Sequence, residues 1–220
     1  MERVAVISDV HSNLSALNAV LEYCEREGVG KIYCAGDIIG YSASANEVVW
    51  ELRRRRARCI KGNHERALFD PGMEEMMNDI ASSSIRYTRG ILTDENLSFL
   101  RALPDELREK EISLFHGSPF DPDEYVFEDM VDEHIAFAAD SRCIVLGHTH
   151  LPFIRVFGGK TVINPGSVGQ PRDGDPRASF ALITDKVELR RVEYDIEAQI
   201  QENIRAGLRP EVSERLRWGV

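Results

Sequence analysis

Short apolar runs, each followed by a polar or glycine-containing segment, recur along the first 150 residues. Five of them have the length of a buried strand, and they cover residues 4–8, 31–35, 58–61, 112–115 and 143–146. Each run is followed, directly or after one glycine, by Asp, Asn or His. Sites in open α/β sheets form at the carboxyl ends of the strands. The pattern therefore predicts that these polar side chains meet at a single location.

The segments between these runs have helical periodicity. After the first run, apolar residues repeat at helical spacing, at Leu14, Leu17, Val20, Leu21 and Cys24. Ser12 or Asn13 is the expected N-cap, and Gly28 the expected terminator. The positive end of this helix would point toward the polar cluster. A second helix is expected from about Asn46, and the strand-helix-strand order predicts parallel pairing with right-handed crossovers.

The pattern changes after Pro152 to strands joined by tight turns, at residues 153–157, 161–163, 178–184 and 187–194. These strands predict antiparallel hairpins that form a second sheet. A glycine-rich segment, residues 164–172, lies between the two hairpins. It could simply connect strands, or it could lie at the site with Arg172 reaching a substrate phosphate.

Two further stretches are helical. Within residues 66–105, helices are expected at about 74–89 and 95–102. This segment could form a lid or wall beside the site, and core packing explains its leucines equally well. Residues 196–220 are expected to be helical and to cover a sheet edge or to serve a dimer contact. No linker or repeat interrupts the sequence, so residues 1–220 are interpreted as a single domain.

Composition and charge limit the classes of partner. The chain has 220 residues, of which 43% are hydrophobic and 29% charged, as in ordinary globular proteins. Its formal net charge of -10 argues against general binding of nucleic acid or anionic membranes, which normally requires a basic face. A small nucleotide remains compatible, because bound cations could supply local positive charge. The densest basic run, residues 53–56, is expected to be a solvated helix end.

The sequence also suggests a location and a redox state. Met1 leads directly into the first predicted strand, so no cleavable signal peptide is expected. No apolar run approaches the ~20 residues of a membrane-spanning helix. The cytoplasm is therefore the expected compartment. Cys24, Cys34, Cys59 and Cys143 show no paired spacing and lie in apolar runs, which predicts buried, reduced thiols.

The polar residues at the strand ends form a set of oxygen and imidazole ligands without thiolates. The candidate ligands are Asp9, His11, Asp37, Asn63, His116, His148 and His150. Such a set suits Mn, Fe, Zn or Ni. Seven side chains are too many for one tetrahedral ion, so two ions are expected, with Asp37 as the bridge. Two ions ~3.5–4 Å apart can generate hydroxide from bound water and clamp a phosphoryl group, which predicts phosphate ester hydrolysis.

The ordered set of segments resembles the calcineurin-like metallophosphoesterase superfamily, in particular its small prokaryotic phosphodiesterases. The segments are Asp9-Val-His11, Gly36-Asp37, Gly62-Asn63-His64-Glu65, His116-Gly117 and Gly147-His148-Thr149-His150. The resemblance extends over roughly residues 3–185. It implies an α/β fold of two mixed β-sheets packed as a sandwich and flanked by helices.

The resemblance also implies roles for individual residues. One metal would be held by Asp9, His11, Asp37 and His150, and the other by Asp37, Asn63, His116 and His148. His64 would face the substrate without binding metal, and would protonate the leaving-group oxygen or stabilise the transition state.

Three other residues are expected to act at the site, and one further histidine is expected to lie outside it. Glu65 is expected to orient a neighbouring ligand. Asn13 and Arg172 are the candidate contacts to substrate. His134 lies in an amphipathic stretch, and an ordinary surface or structural role is expected for it.

Together these features predict a dinuclear, metal-dependent phosphoesterase. Its substrate would be a small phosphodiester or nucleotide phosphoanhydride, attacked by a metal-bound hydroxide. The cofactors would be two divalent or trivalent transition metal ions, with Mn favoured over Fe, Zn or Ni. The protein would be a monomer or homodimer. The alternatives are a Ser/Thr protein phosphatase, since loops outside the motifs set specificity, and a non-catalytic metal-binding scaffold. A scaffold would be expected to have lost His64 or some ligands, and all are present.

Overall fold

The computed structural model describes residues 3–220, which form ten strands and nine α-helices. The strands are β1 (Val4–Ile7), β2 (Lys31–Cys34), β3 (Arg58–Cys59), β4 (Glu106–Arg108), β5 (Ile112–Phe115), β6 (Cys143–Val145), β7 (Phe153–Phe157), β8 (Lys160–Asn164), β9 (Ala178–Ile183) and β10 (Val187–Val192). The helices are α1 (Leu14–Arg26), α2 (Ala45–Arg54), α3 (Asn63–Phe69), α4 (Pro71–Met76), α5 (Asp79–Ile91), α6 (Asp94–Ala102), α7 (Glu133–Ala136), α8 (Ile196–Arg205) and α9 (Pro210–Trp218).

The strands form two mixed sheets of five strands each. The first has the order β10-β9-β1-β2-β3, with β1, β2 and β3 parallel. The second has the order β4-β5-β6-β8-β7, with β5, β6 and β8 parallel. This arrangement confirms the predicted α/β sandwich of two mixed sheets.

Alternating side chains explain how each sheet is covered on both faces. In β1, Val6 packs with strands of both sheets, whereas Ala5 and Ile7 pack with α1 and α2 on the opposite face. In β6, Val145 faces the other sheet, and Ile144 packs in the core formed with α7. Strands buried on both faces have nearly continuous apolar runs, as the sequence shows for β1, β5 and β6.

The predicted second sheet differs from the observed one. The hairpin β7–β8 does lie in the second sheet, but the hairpin β9–β10 joins the first, where β9 pairs antiparallel with β1. A hairpin pattern specifies the pairing of two adjacent strands, and it leaves open which further strand they join. Residues 178–182 are all buried, and four of the five are apolar, which fits the position between β1 and β10.

Residues 66–105 contain more helices than predicted. The stretch assigned to one helix at 74–89 is divided into α4 and α5, because Asn78 begins a new helix by accepting the N–H groups of Ile80 and Ala81. The sequence also missed α3, whose first residue is Asn63. The predicted helix at 95–102 is confirmed as α6.

Several other expectations are confirmed. Asn13 caps α1 through a bond from Ala16 N to its Oδ1 at 3.0 Å. All four cysteines are free and buried. Ion pairs of Arg53, Arg54 and Arg55 with glutamates compensate the basic run at the C-terminal end of α2.

The C-terminal segment is helical as predicted, but α8 packs mainly on α1 and α9 rather than on a sheet edge. Leu216 of α9 is buried in the same chain, while Trp218 is exposed. Within residues 3–220, no helix has the length and apolar character needed to cross a membrane.

Candidate metal centre

The structure brings all seven predicted ligands to one end of the sandwich. Asp9 and His11 follow β1, Asp37 follows β2, and Asn63 begins α3 just after β3. The remaining ligands come from the second sheet: His116 follows β5, and His148 and His150 follow β6. Six of the seven are buried, and Asn63 is half-buried. The strand ends therefore do meet at one location, but they come from two sheets rather than one.

Asp9, His11 and His150 form the first group of candidate ligand atoms. The Nε2 atoms of His11 and His150 are 3.1 Å apart, and Asp9 Oδ1 lies 3.2 Å from His150 Nε2. In the part of the chain that is described, Asp9 Oδ1 has no hydrogen-bond partner although it is buried. A buried carboxylate oxygen without a partner, facing imidazole nitrogens, fits a cation site.

Asp37, His116 and His148 form the second group. Asp37 Oδ2 lies 3.5 Å from His116 Nε2, and Asn63 Oδ1 lies 3.1 Å from the same nitrogen. Asp37 Oδ2 is also 3.7 Å from His11 Nε2 of the first group. The carboxylate of Asp37 thus lies between the two groups.

Backbone carbonyls orient three of the imidazole rings. The Nδ1 atoms of His11, His116 and His150 lie 3.2, 2.8 and 2.5 Å from the carbonyl oxygens of Ile39, Ala35 and Gln170. A carbonyl can only accept, so each Nδ1 donates, and Nε2 is the atom of each ring that faces the cluster and can bind a metal when it is deprotonated. This arrangement is typical of histidines that bind metals.

The charges within the cluster favour bound cations. Burial opposes ionisation of Asp9, but attraction and hydrogen bonding from His150, together with attraction from His116, outweigh it and hold the pKa of the carboxyl below its usual range. Burial likewise disfavours the charged form of His116, yet Asp37 raises the pKa of His116 to about 9. Without a metal, a proton on His116 compensates the buried carboxylate. A bound cation would displace that proton, because metal ligands must be deprotonated.

The backbone at the site adopts an uncommon conformation. Among residues 3–220, eight that are not glycine have a positive φ, and five of these are candidate ligands: Asp9, His11, Asp37, His148 and His150. Such residues cost about 1–3 kcal/mol each and persist only where the surrounding structure imposes them. They cluster at functional sites, which agrees with the location predicted from the strand ends.

Two glycines allow the candidate ligands to pack closely against the neighbouring backbone. Gly36 has φ of +97°, and a Cβ atom there would lie 2.8 Å from His116 Nδ1. A Cβ atom on Gly62 would collide with the carboxylate of Asp37. Any side chain at either position would displace a candidate ligand.

Glu65 holds the turn that carries Asp37. Its carboxylate accepts four backbone N–H groups at 2.8–3.0 Å, from Asp37, Ile38, Ile39 and Gly62. Burial raises the pKa of Glu65 to about 7, while the backbone N–H groups act in the opposite direction. The position of Glu65 agrees with the predicted orienting role.

His64 lies beside Asp37 at the same site. Its Nε2 is 3.9 Å from Asp37 Oδ2, and its backbone N–H donates to Asp37 Oδ1 at 2.9 Å. Its ring is close enough to His11 and Asp37 to form a third group of candidate ligand atoms. Burial lowers the pKa of His64 to about 4, although Asp37 opposes the shift.

A cleft of about 370 Å³ opens over the centre, lined by Asp37, Tyr41, Asn63, His64, Ala67, Met73, Met76, Met77, Asn78, Ala81, Asp123, Tyr125, His148, His150 and Arg172. Arg172 comes from the glycine-rich segment 164–172, which the structure places beside the site. Ser167 Oγ donates to the backbone oxygen of Asp9 at 2.6 Å, and Gln170 accepts from His150. Residues 73–81 form one wall of the cleft, which is one of the two roles considered for the segment 66–105.

Asn13 and His134 lie apart from the cleft. Asn13 is fully buried; besides capping α1, it donates to the backbone oxygen of Gly169 at 2.9 Å. We therefore assign it a structural role in place of the predicted contact with substrate. His134 is exposed and stacks on Phe120 with ring centroids 4.3 Å apart, as expected for a surface histidine.

Sequence reasoning missed the aromatic and methionine residues of the cleft. Tyr41 is buried with φ of +53°, and its ring contacts His11 and His64 with centroids 4.7 and 4.9 Å apart. Tyr125 contacts His148 with centroids 3.9 Å apart. Tyr41 follows the Gly36-Asp37 segment closely, which was the only available signal. Nothing in the local sequence distinguishes Tyr125 from other aromatic residues.

Comparison with known proteins agrees with this geometry. Residues 2–187 match the model of the calcineurin-like phosphoesterase superfamily domain. The chain belongs to this superfamily. The calcineurin-like phosphoesterases are metal-dependent, and membership identifies the chain as a hydrolase whose Asp and His clusters could bind metal ions.

Relatives cover nearly the whole chain. An uncharacterized Methanocaldococcus jannaschii protein, MJ0912, is 36% identical over 240 aligned residues, covering 98% of both chains. The phosphodiesterase YfcE of Escherichia coli is 26% identical over 85% of this chain and 90% of its own. A metallophosphoesterase from Sphaerobacter thermophilus superposes with a TM-score of 0.87 at 34% identity, covering 100% of this chain and 99% of its own.

Proposed function

We propose that the protein is a metal-dependent phosphoesterase that hydrolyses a small phosphodiester or a nucleotide phosphoanhydride, with two bound transition metal ions. The position of Asp37 between two groups of ligand atoms carries this proposal. One ion would be held by Asp9, His11, Asp37 and His150. The other would be held by Asp37, Asn63, His116 and His148.

When bound, such ions lower the pKa of water and polarise a phosphoryl oxygen. The chain's own contribution is to hold the ligands in place before substrate arrives. Three imidazole rings are fixed by backbone carbonyls, and the Asp37 turn is fixed by Glu65. Little reorganisation would then be needed when charge develops on the phosphoryl group.

Arg172 supports the binding of an anionic group in the cleft. Its side chain reaches the cleft beside Tyr41. Burial raises the pKa of Tyr41, and the positive charge of Arg172 partly opposes that rise. A guanidinium presents several N–H donors in one plane and matches the geometry of phosphate oxygens. We assign Arg172 to the non-reacting oxygens of the substrate.

His64 is assigned to the leaving group. The ring is buried at the cleft, and its Nδ1 has no hydrogen-bond partner among the described residues. Its lowered pKa favours the neutral ring in the free protein. An anionic phosphate in the cleft would add to the attraction of Asp37 and raise that pKa again. The imidazole could then give a proton to the departing oxygen.

A phosphodiester fits this site for two reasons. The cleft is open and larger than a phosphate group needs, so an ester group on either side can be accommodated. The relative YfcE, 26% identical, is itself a phosphodiesterase.

A turnover screen of the protein with defined metal content tests the proposal. Protein stripped with a chelator should be nearly inactive. It should regain activity with Mn²⁺ more readily than with Mg²⁺, which prefers oxygen ligands and retains its water. The substrates should include phosphomonoesters, phosphodiesters and dinucleoside polyphosphates. Full turnover by the metal-free protein, or no turnover of any ester by metal-loaded protein, would contradict the proposal.

A further inference from the structure

The cleft over the centre has a polar part and an apolar part. Asp37, His148 and Arg172 belong to the polar part. The apolar part, which we call the methionine wall, consists of Met73, Met76 and Met77, at α4 and just after it, with Ala67 and Ala81 beside them. The metal ligands and a phosphate account for the polar part alone.

The methionine side chains are only partly covered by the protein. Met76 is 80% exposed, and Met73 and Met77 are half-buried. Exposed apolar side chains that line a cleft next to a reactive centre mark a binding surface. Methionine is also flexible and makes favourable contacts between its sulfur and aromatic rings.

The wall is held in place by ion pairs and hydrogen bonds from α5 rather than by its own length. The six-residue helix α4 is too short to be stable alone. Its Glu74 is buried and forms ion pairs with Arg86 at 3.0 Å and Arg89 at 2.7 Å, both from α5. Arg89 also donates to the backbone oxygens of Ala67 and Leu68 at the end of α3. These contacts fix α4 beside the metal centre without covering its methionines.

The segment that follows β5 contributes an aromatic ring to the same cleft. Tyr125 is 49% exposed and contacts His148, so its ring lies at the border of the metal centre. Asp123 of the same segment also lines the cleft, but it forms an ion pair with Arg66 of α3. The negative charge of Asp123 is therefore compensated, and it opposes a bound phosphate only weakly.

From this arrangement, and resting on the proposed phosphoesterase function, we infer that the substrate is a phosphate ester of a nucleoside. Its phosphate would lie at the polar part of the cleft, and its base would lie against the methionine wall and Tyr125. A flat aromatic base offers a face to both a thioether and a tyrosine ring. The net charge of -10 disfavours a long nucleic acid and is compatible with a single nucleotide unit.

Binding of two products that differ only in the base tests this inference. Adenosine 5′-monophosphate and ribose 5-phosphate carry the same phosphate, and calorimetric titration of the metal-loaded protein compares them directly. Stacking of one base is expected to make the nucleotide bind at least about tenfold more tightly. The double variant Met73→Ala/Met76→Ala should lose most of this preference and keep its affinity for ribose 5-phosphate within about twofold.

Two further variants control for damage to the fold. Met130→Ala removes an exposed methionine that does not line this cleft, and it should leave both affinities unchanged. Met76→Ala alone changes a side chain that is 80% exposed, so it should fold normally and reduce the preference in part.

Equal binding of both ligands by the unmodified protein would overturn the inference, as would a preference that survives in the double variant. If phenyl phosphate binds as tightly as the nucleotide, the inferred substrate would be a smaller aryl phosphate ester instead of a nucleoside phosphate. If the protein hydrolyses phosphate esters and binds ribose 5-phosphate without preferring the nucleotide, only this inference fails. If no ester is hydrolysed and neither ligand binds, the proposed function fails as well.

Discussion

The carboxylate of Glu65 accepts the backbone N–H of Asp37 at 2.9 Å, and so fixes the turn that presents Asp37 to both groups of candidate ligands. A carboxylate is well suited to this position, because all four groups facing it are donors. Glu65→Gln would direct an amide N–H₂ toward some of those donors. A buried donor left unpaired costs about 1–3 kcal/mol of unfolding free energy.

Glu65→Gln is therefore expected to lower the unfolding free energy by about that amount. It should also weaken metal binding by ~10–100-fold, as typical for partners that orient ligands. Urea unfolding and metal titration measure the two effects, and Glu47→Gln, at an exposed position on α2, is the control. Unchanged metal affinity would show that Asp37 is held in place without Glu65.

Replacement of Asp37 tests the bridging role. Asp37→Ala removes the one carboxylate that lies between both groups of ligand atoms. Metal affinity and turnover should both fall by more than the ~10–100-fold typical of a lost orienting partner, and fewer than two ions should stay bound per chain. Elemental analysis gives the stoichiometry. Asp123→Asn is the matched control, since Asp123 lines the cleft outside the three candidate groups. Two tightly bound metals in Asp37→Ala would refute the bridge.

The role of His64 depends on the leaving group. Proton donation by a positioned imidazole is typically worth ~10²–10⁴-fold, and it matters most when the leaving group is poor. His64→Ala should therefore keep both metals and lose far more rate on an alkyl phosphodiester than on a nitrophenyl ester. Equal losses on both esters would instead indicate substrate positioning, and a missing metal would indicate that His64 is a ligand.

The acid sensitivity of the metal-free protein should depend on His64. Burial lowers the pKa of His64 from 6.5 to about 4. Between these values the unfolded chain binds more protons than the folded one, so stability is lost as the pH falls through this window. From pH 7.5 to pH 5, this histidine should account for a loss of ~2 kcal/mol.

Urea unfolding of the chelated protein at the two pH values measures this loss, and His64→Asn should show a correspondingly smaller one. The same pH dependence in both proteins would show that other groups control acid unfolding.

Arg172 should contribute mainly to substrate binding. A hydrogen bond to a charged group is worth about 1.5–3 kcal/mol, so Arg172→Ala should raise KM for a phosphodiester by roughly 10–150-fold and lower kcat less. Arg177→Ala is the control, because Arg177 is exposed and pairs with Asp175. If every phosphate substrate tested shows unchanged kinetics for Arg172→Ala, Arg172 does not bind substrate, and segment 164–172 acts at the site only through its contacts with Asp9 and His150.

The strand ends and their polar residues could be predicted from sequence because the chemistry and the backbone geometry coincide there. Asp9, Asp37 and His116 each follow a buried strand, so one local pattern fixed both the element and the residue of interest. The assignment of β9 to the first sheet could not be predicted in this way. The apolar residues of β9 fit a central position in either sheet, and only the pairing of β9 with β1 decides which sheet it joins.

The methionine wall could not be predicted from the sequence for a related reason. A helical stretch of 16 residues looks continuous unless the cap at Asn78 is recognised, and Met77 lies at the break between α4 and α5. The ion pairs of Glu74 that hold α4 join residues 12 and 15 positions apart, which do not face each other within one regular helix.

The candidate ligands are contributed by both sheets, with Asp9, Asp37 and Asn63 from the first and His116 and His148 from the second. Any ion held between them is therefore also a cross-link between the two halves of the sandwich. Ligands that bind only the folded state stabilise it by mass action. The concentration of metal ions around the protein would then set the stability of the packing between the two sheets, as well as the rate of hydrolysis.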